Sequence, residues 1–238
     1  MNFVFDVDGT LTPSRDVINH VFADWFLNFA KNNNVYLVSG SDYQKTLEQL
    51  GTSICHTVKG VYNCAGNALN VKGQPVYSNS FELTDDEYRF LETLLELSAY
   101  PERTGQHIEM RTGLCNFSIV GRGASREQRK TYIHYDTAIN ERKNFAELIN
   151  MQFPRLEATV AGETGIDIYL CGKDKAQIAD KISPFIFFGD KIEIGGNDYS
   201  IALRASKYYR VENWEDTFSI LQKEYAKVEQ HCNDRILR

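Results

Sequence analysis

The stretch that most constrains this chain is Asn-Phe-Val-Phe-Asp-Val-Asp-Gly-Thr-Leu-Thr, residues 2–12. An apolar run breaks onto two acids one residue apart, Asp6 and Asp8, and then onto Gly9 and Thr10. A strand ending on paired acids and a glycine turn places chemistry at its carboxyl edge. The next segments repeat the rhythm. Residues 16–32 carry Val17, Val21, Phe22, Trp25, Phe26 and Phe29 at helical spacing. Val35–Val38 reads as a second apolar strand running into Ser-Gly-Ser-Asp, and Tyr43–Leu50 as a helix closed by Gly51. Alternating strands and helices predict an α/β, Rossmann-like core with a parallel sheet. In such sheets functional groups gather at the carboxyl ends of the strands.

After Thr84 the pattern changes. Residues 85–98 read as an amphipathic helix with an acidic first turn. Residues 107–122 read as two strands joined by a Thr-Gly turn, and 125–150 as helical. Two further strands are expected in Leu-Glu-Ala-Thr-Val-Ala-Gly and Gly-Ile-Asp-Ile-Tyr-Leu, which makes the middle an α+β unit with an antiparallel sheet. The opening style then returns: a helix over 175–182, a buried strand Phe-Ile-Phe-Phe-Gly-Asp, a last strand from Tyr208 and a C-terminal helix. The expected organisation is a core of 1–81 and 172–238 with a cap, 82–171, inserted into it.

The formal charge of −6 argues against nucleic-acid or anionic-membrane partners. No apolar run approaches the ~18 residues needed to span a bilayer, and a strand beginning at residue 2 leaves no room for a leader. Cysteines 55, 64, 115, 171 and 232 show no metal-ligand spacing, so reduced buried thiols in a cytoplasmic protein are expected.

Three further motifs share the sheet edge with the first. Ser39 ends the second strand, Lys175 starts a helix, and Asp190 ends a strand before a glycine turn carrying Asn197 and Asp198. Each alone has an ordinary reading as a cap, a solvated lysine or a turn acid; in this order on one edge those readings no longer account for them together. The four motifs resemble those of the haloacid dehalogenase superfamily of phosphotransferases. Within it, residues 5–15, 39–51, 107–122 and 187–202 resemble the eukaryotic-type phosphomannomutases, cap included.

The residues support such chemistry independently. A transferring phosphoryl group needs an in-line oxygen and neutralisation of its equatorial charge. Asp6 is the candidate nucleophile, forming an aspartyl-phosphate, and Asp8 the acid that protonates the leaving oxygen and later the base. Crowded carboxylates beside phosphate suit Mg2+, held by Asp6, Asp190 and the main-chain carbonyl of Asp8. Asn197 and Asp198 would orient its waters. Ser39 and Lys175 would bind the transferring oxygens.

Between 103 and 130 stand six basic residues, five of them arginine, against two acids, a local excess of +4 in an acidic chain. The planar guanidinium suits phosphate oxygens, and Arg111 and Arg122 flank the expected hairpin. The resemblance implies more. The family arginines matching Arg111, Arg122 and Arg129 hold the phosphate that is not reacting, and the one matching Arg15 contacts substrate. A Ser-x-Asp in the last cap strand holds the sugar; here Asp167 matches but the serine position is Gly165. The family tryptophan two residues before the core lysine is Lys173. Arg103 and Arg126 are expected at a helix end or on the surface. Similar enzymes dimerise through the cap; Leu91, Leu94, Leu95 and Leu97 serve that role or pack on the cap sheet.

The leading expectation is a Mg2+-dependent mutase interconverting mannose 1-phosphate and mannose 6-phosphate, with a hexose 1,6-bisphosphate as intermediate and activator. A sugar-phosphate phosphatase of the same superfamily is the alternative, and a non-catalytic sugar-phosphate sensor a third.

Overall fold

A computed structural model of the chain describes residues 1–225. The first part runs β1 (Asn2–Phe5), α1 (His20–Asn32), β2 (Asn34–Val38), α2 (Tyr43–Thr57), β3 (Gly60–Asn63), a 3-10 turn at Cys64–Gly66, β4 (Ala68–Val71) and β5 (Gln74–Ser78). The middle contains α3 (Asp85–Leu97), β6 (Ile108–Arg111), β7 (Leu114–Phe117), α4 (Arg126–Ile139), α5 (Glu141–Gln152), β8 (Leu156–Ala161) and β9 (Gly165–Leu170). The chain then forms a 3-10 turn at Lys175–Ile178, α6 (Ala179–Ile182), β10 (Phe185–Gly189), α7 (Tyr199–Arg204), β11 (Lys207–Arg210) and α8 (Trp214–Glu224).

The larger sheet has the order β11-β10-β1-β2-β3-β4-β5. β1 sits between β10 and β2, parallel to both, with Phe5 opposite Phe188 and Leu37. Its side chains are buried on both faces, which is why β1 and β10 read as continuous apolar runs. Phe3, Phe5 and Phe188 pack with Phe22, Phe26 and Phe29 of α1 on one side. Val4, Phe185 and Phe187 meet Ile178 and Ile201 on the other. The register brings the residues following β10, β1 and β2, namely Asp190, Asp6 and Ser39, to adjacent positions on one edge. The smaller sheet is antiparallel, β6-β7-β9-β8. Its core includes Leu91 and Leu94 of α3, Tyr132 of α4 and Ile149 of α5.

Several sequence expectations need correction. The first helix begins at His20, capped by the Asn19 side chain, so Val17 lies before it; Val17 and Val21 are exposed. β3, β4 and β5 are absent from the sequence reading. β3 extends the parallel sheet, but β4 and β5 turn back antiparallel and make it mixed. Their burial is uneven, and β5 is mostly exposed, so neither carries the apolar run that marks β1. Gly51 kinks α2 rather than ending it. The helical stretch after 125 splits at Asn140, which takes a left-handed conformation. Cys55, Cys64 and Cys115 are buried and free, but Cys171 is exposed; Cys232 lies outside the described residues. Leu91 and Leu94 pack inward and Leu97 is exposed. No helix among the described residues is long and apolar enough to cross a membrane.

Candidate active site

The loop after β1 folds back on itself. Gly9 N–H donates to the Thr12 carbonyl at 2.8 Å, and Leu11 N–H to that of Val7 at 2.9 Å. This turn needs glycine twice over: Gly9 has φ of +81°, and a Cβ there would stand 2.4 Å from Asp190 Oδ2. The close approach delivers Asp6 and Asp8 beside the loop after β10.

Asp6, Asp190 and Asp198 each offer a carboxylate oxygen within 4.8 Å of the others. Lys175 Nζ donates to Asp6 Oδ1 at 2.6 Å and to Asp198 Oδ1 at 2.7 Å. Burial pushes the Asp6 carboxyl well above the ordinary range against the pull of Lys175, with Asp198 and Asp190 raising it further. Burial, then Asp198, raises Asp190 to about 6. Burial would lower the Lys175 pKa, but Asp198 and Asp6 outweigh it and hold the ammonium charged. Three crowded carboxylates with one ammonium remain short of positive charge, and an all-oxygen donor set fits a hard divalent cation. Asn197 lines the cleft beside them.

The cleft has a volume of about 1060 Å³. Asp6, Asp8 and Asp190 lie on its core wall, and Lys175 and Asp198 are buried beneath. At the end of β2, Gly40 and Ser41 line the cleft. Ser39 is buried, and its hydroxyl accepts from the Ser41 N–H at 3.0 Å. The cap wall carries Arg111, Arg122 and Arg129, with Arg15 reaching the same space from the core. Glu109 pairs with Arg111 and, at 3.0 Å, with Arg122; Glu163 lies 3.6 Å from Arg129. Burial, then Arg111 and Arg15, lowers Arg122 to about 10. Burial and Arg129 lower Arg15. Arg111 goes the other way, because Asp167 and Glu109 outweigh its burial. Such a cluster favours a multiply charged anion.

Asp167 faces the cleft from β9, buried, and accepts from Asn116 Nδ2 at 2.7 Å. Gly165 leaves room for Asn116: a Cβ there would stand 2.5 Å from Asn116 Nδ2. Arg103 stays at the end of α3, donating to the Leu95 carbonyl at 3.0 Å and the Ser98 carbonyl at 3.1 Å. Arg126 pairs on the surface with Asp16 at 3.2 Å. Edge strand β8 touches the loop bearing Asn197 through a bridge between Val160 and Gly196.

The eukaryotic phosphomannomutase family model matches residues 22–227. The chain belongs to that family. A phosphomannomutase of Saccharomyces cerevisiae is 32% identical over 232 residues, 92% of this chain and 91% of that protein. Among solved structures, an N-terminally truncated Plasmodium falciparum IMP-nucleotidase superposes with a TM-score of 0.62 at 18% identity, covering 93% of this chain and 69% of that one. A haloacid dehalogenase-like hydrolase from Bacteroides thetaiotaomicron gives 0.56 at 12% identity, covering 93% and 98%. These two likenesses show the fold, an α/β core with a second, antiparallel sheet.

Within this family member, sequence reasoning overlooked Gln49 and Asn116. Gln49 Nε2 donates to Asp8 Oδ1 at 2.9 Å, and Asn116 bridges Asp167 to the arginine side, with Arg122 Nη1 3.5 Å from its Oδ1. Neither carries a charge or a motif spacing that marks it in the sequence. Position 116 is nevertheless opposite 167 in the β7–β9 register.

Proposed function

We propose that this enzyme interconverts mannose 1-phosphate and mannose 6-phosphate. The observation that carries the proposal is a cleft with two anion-binding walls: carboxylates, Lys175 and a cation-type donor set on one, a cluster of arginines on the other. A monophosphate phosphatase has no use for the second wall. The division of labour follows a core of 1–81 and 172–238 and a cap of 82–171.

Asp6 attacks phosphorus in line with the sugar oxygen; the new bond is an acyl phosphate and the bond that breaks is phosphorus to sugar. Asp8 gives its proton to the departing oxygen and takes one from the hydroxyl that next attacks. Lys175 holds Asp6 and offsets equatorial charge, and Ser39 is assigned to the transferring oxygens. Arg15, Arg111, Arg122 and Arg129 hold the distal phosphate, and Asp167 reads a sugar hydroxyl. A hexose 1,6-bisphosphate then presents either end to Asp6 and primes the enzyme. Asp6, Asp190 and the Asp8 carbonyl would hold Mg2+, with Asn197 and Asp198 around them; the cation supplies neutralisation of phosphoryl charge. Closing the cap excludes water, which would otherwise hydrolyse the acyl phosphate. A cytoplasmic homodimer joined through the cap completes the proposal.

The test supplies mannose 1-phosphate, Mg2+ and a trace of hexose 1,6-bisphosphate, and follows mannose 6-phosphate and inorganic phosphate together. Mannose 6-phosphate as main product is expected. Free phosphate as the dominant product would make the enzyme a phosphatase. Asp6→Asn abolishes turnover with every substrate, because an amide oxygen cannot form the acyl phosphate; retained turnover removes Asp6 from that role.

A further inference from the structure

Asp8 is held by two donors on one oxygen. The Arg15 N–H donates to Asp8 Oδ1 at 2.6 Å, and Gln49 Nε2 donates to the same oxygen at 2.9 Å. The Arg15 donor is directed there by a left-handed backbone, φ +57°, which is uncommon for a residue with a side chain. Gln49 is buried on α2, and its amide is held in turn by Thr12 Oγ1, 3.2 Å from Nε2. Its main-chain carbonyl accepts from the Ile18 N–H at 2.9 Å, tying α2 to the end of the loop that bears Asp8. Asp8 Oδ2 has no hydrogen-bond partner among the described residues, and Asp8 lines the cleft.

We infer that Gln49 is a positioning residue for proton transfer: with the Arg15 amide it fixes Asp8 Oδ1, so that Oδ2 carries the proton that goes to the leaving oxygen. An oxygen that accepts two N–H bonds has no lone pair free for an acid proton. Two donors from different elements also stop rotation of the carboxyl, which keeps Oδ2 within reach of one substrate oxygen. The inference rests on Asp8 as the acid of the proposed mutase. In the step concerned, the Asp6–phosphorus bond forms, the bond from phosphorus to the leaving oxygen breaks, and the Asp8 Oδ2 proton ends on that oxygen.

Leaving groups separate positioning from mere support of the fold. A sugar alkoxide needs the proton; p-nitrophenolate leaves without it. The experiment compares, in the presence of Mg2+, the single-turnover rate at which hexose 1,6-bisphosphate phosphorylates the enzyme with the first-turnover burst of p-nitrophenolate from p-nitrophenyl phosphate. Gln49→Met, close in volume, is expected to slow the sugar reaction roughly 10- to 100-fold, within the ~10²–10⁴ range of general acid catalysis. The burst should change less than about threefold. Gln49→Leu also lacks the N–H and adds no titrating group, and should repeat the pattern; it decides the matter if Gln49→Met does not fold. Equal losses on both substrates, or none, overturn the inference. Asp8→Asn separates the two levels of the argument. If Asp8→Asn discriminates between the leaving groups and the Gln49 variants do not, only the role of Gln49 falls. If Asp8→Asn shows no discrimination, Asp8 is not the acid and the inference falls with that assignment.

Discussion

Lys175 Nζ lies 2.6 Å from Asp6 Oδ1 with both side chains nearly sealed from solvent, 2% and 6% exposed. The same ammonium serves Asp198 at 2.7 Å. Lysine therefore works here as a fixed counter-charge beneath Asp6, the proposed nucleophile. Replacing it by methionine leaves Asp6, Asp190 and Asp198 crowded together with no buried cation. Breaking a buried ion pair from one side costs about 3–5 kcal/mol. Lys175→Met is expected to lose stability of that order in urea unfolding at neutral pH without Mg2+, and to lose phosphoryl transfer. Unchanged stability would show that the carboxylates do not depend on the lysine.

The pKa of Asp190, raised to about 6, sets a pH dependence for the metal-free protein. A carboxyl bound more tightly to its proton in the folded state stabilises folding below the ordinary carboxylate pKa of 3.8 and loses that contribution as pH rises through about 6. The buried Asp6 carboxyl is shifted in the same direction. A cation competes with those protons, so Mg2+ should raise the melting temperature more at pH 7.5 than at pH 5. Calorimetry at the two pH values with and without Mg2+ measures this. An equal rise at both would place the cation away from these acids.

The acidic sheet edge was legible because β1 and β10 are buried on both faces and end on acids, a pattern that survives without knowledge of neighbours. The Gly9 turn belongs to that same pattern, but its approach to Asp190 is a contact between distant segments that no local pattern marks. β4 and β5 escaped because a half-exposed antiparallel hairpin at a sheet edge carries too few apolar residues to stand out. In the cap, the arginines announced themselves by charge. Glu109, which holds Arg111 and Arg122 apart from one another's repulsion, gave no separate signal because a lone acid in a basic stretch reads as solvated. Gln49 and Asn116 depend on tertiary partners 41 and 51 residues away in sequence, and no local pattern encodes such pairs.

Arg122 illustrates a cluster waiting for an anion. Burial, Arg111 and Arg15 lower its pKa to about 10, so a bound dianion, as the proposed function requires, would offset a repulsion that Glu109 only partly relieves. Hydrogen bonds to charged groups are worth about 1.5–3 kcal/mol. Arg122→Ala is expected to reduce kcat/KM for mannose 1-phosphate roughly 10- to 100-fold and to leave p-nitrophenyl phosphate, which has no distal phosphate, within about threefold. Stability should not fall by more than about 1 kcal/mol, because a repulsive contact is removed along with the Glu109 pair. Equal losses on both substrates would make Arg122 a structural residue of the cap.

Gly165 offers the sharpest test of sugar recognition. A serine Cβ at this position would stand 2.5 Å from Asn116 Nδ2 and 3.3 Å from the Ala161 carbonyl. The closer atom is the end of a side chain, so the amide swings aside rather than the strand. What is lost is the 2.7 Å bond from Asn116 Nδ2 that holds the Asp167 carboxylate. Gly165→Ser is therefore expected to lose about 1–3 kcal/mol of stability in urea, the range both for adding atoms to a packed site and for leaving a buried acceptor without its donor. It should raise KM for mannose 1-phosphate several-fold, and Asn116→Ala, which removes the same bond, should do likewise. The double variant settles whether one mechanism underlies both. If Gly165→Ser acts by displacing Asn116, adding it to Asn116→Ala produces little further rise in KM, a non-additive pair. Multiplying effects would mean that residue 165 meets the sugar on its own account, and that Asn116 is not the route by which it acts.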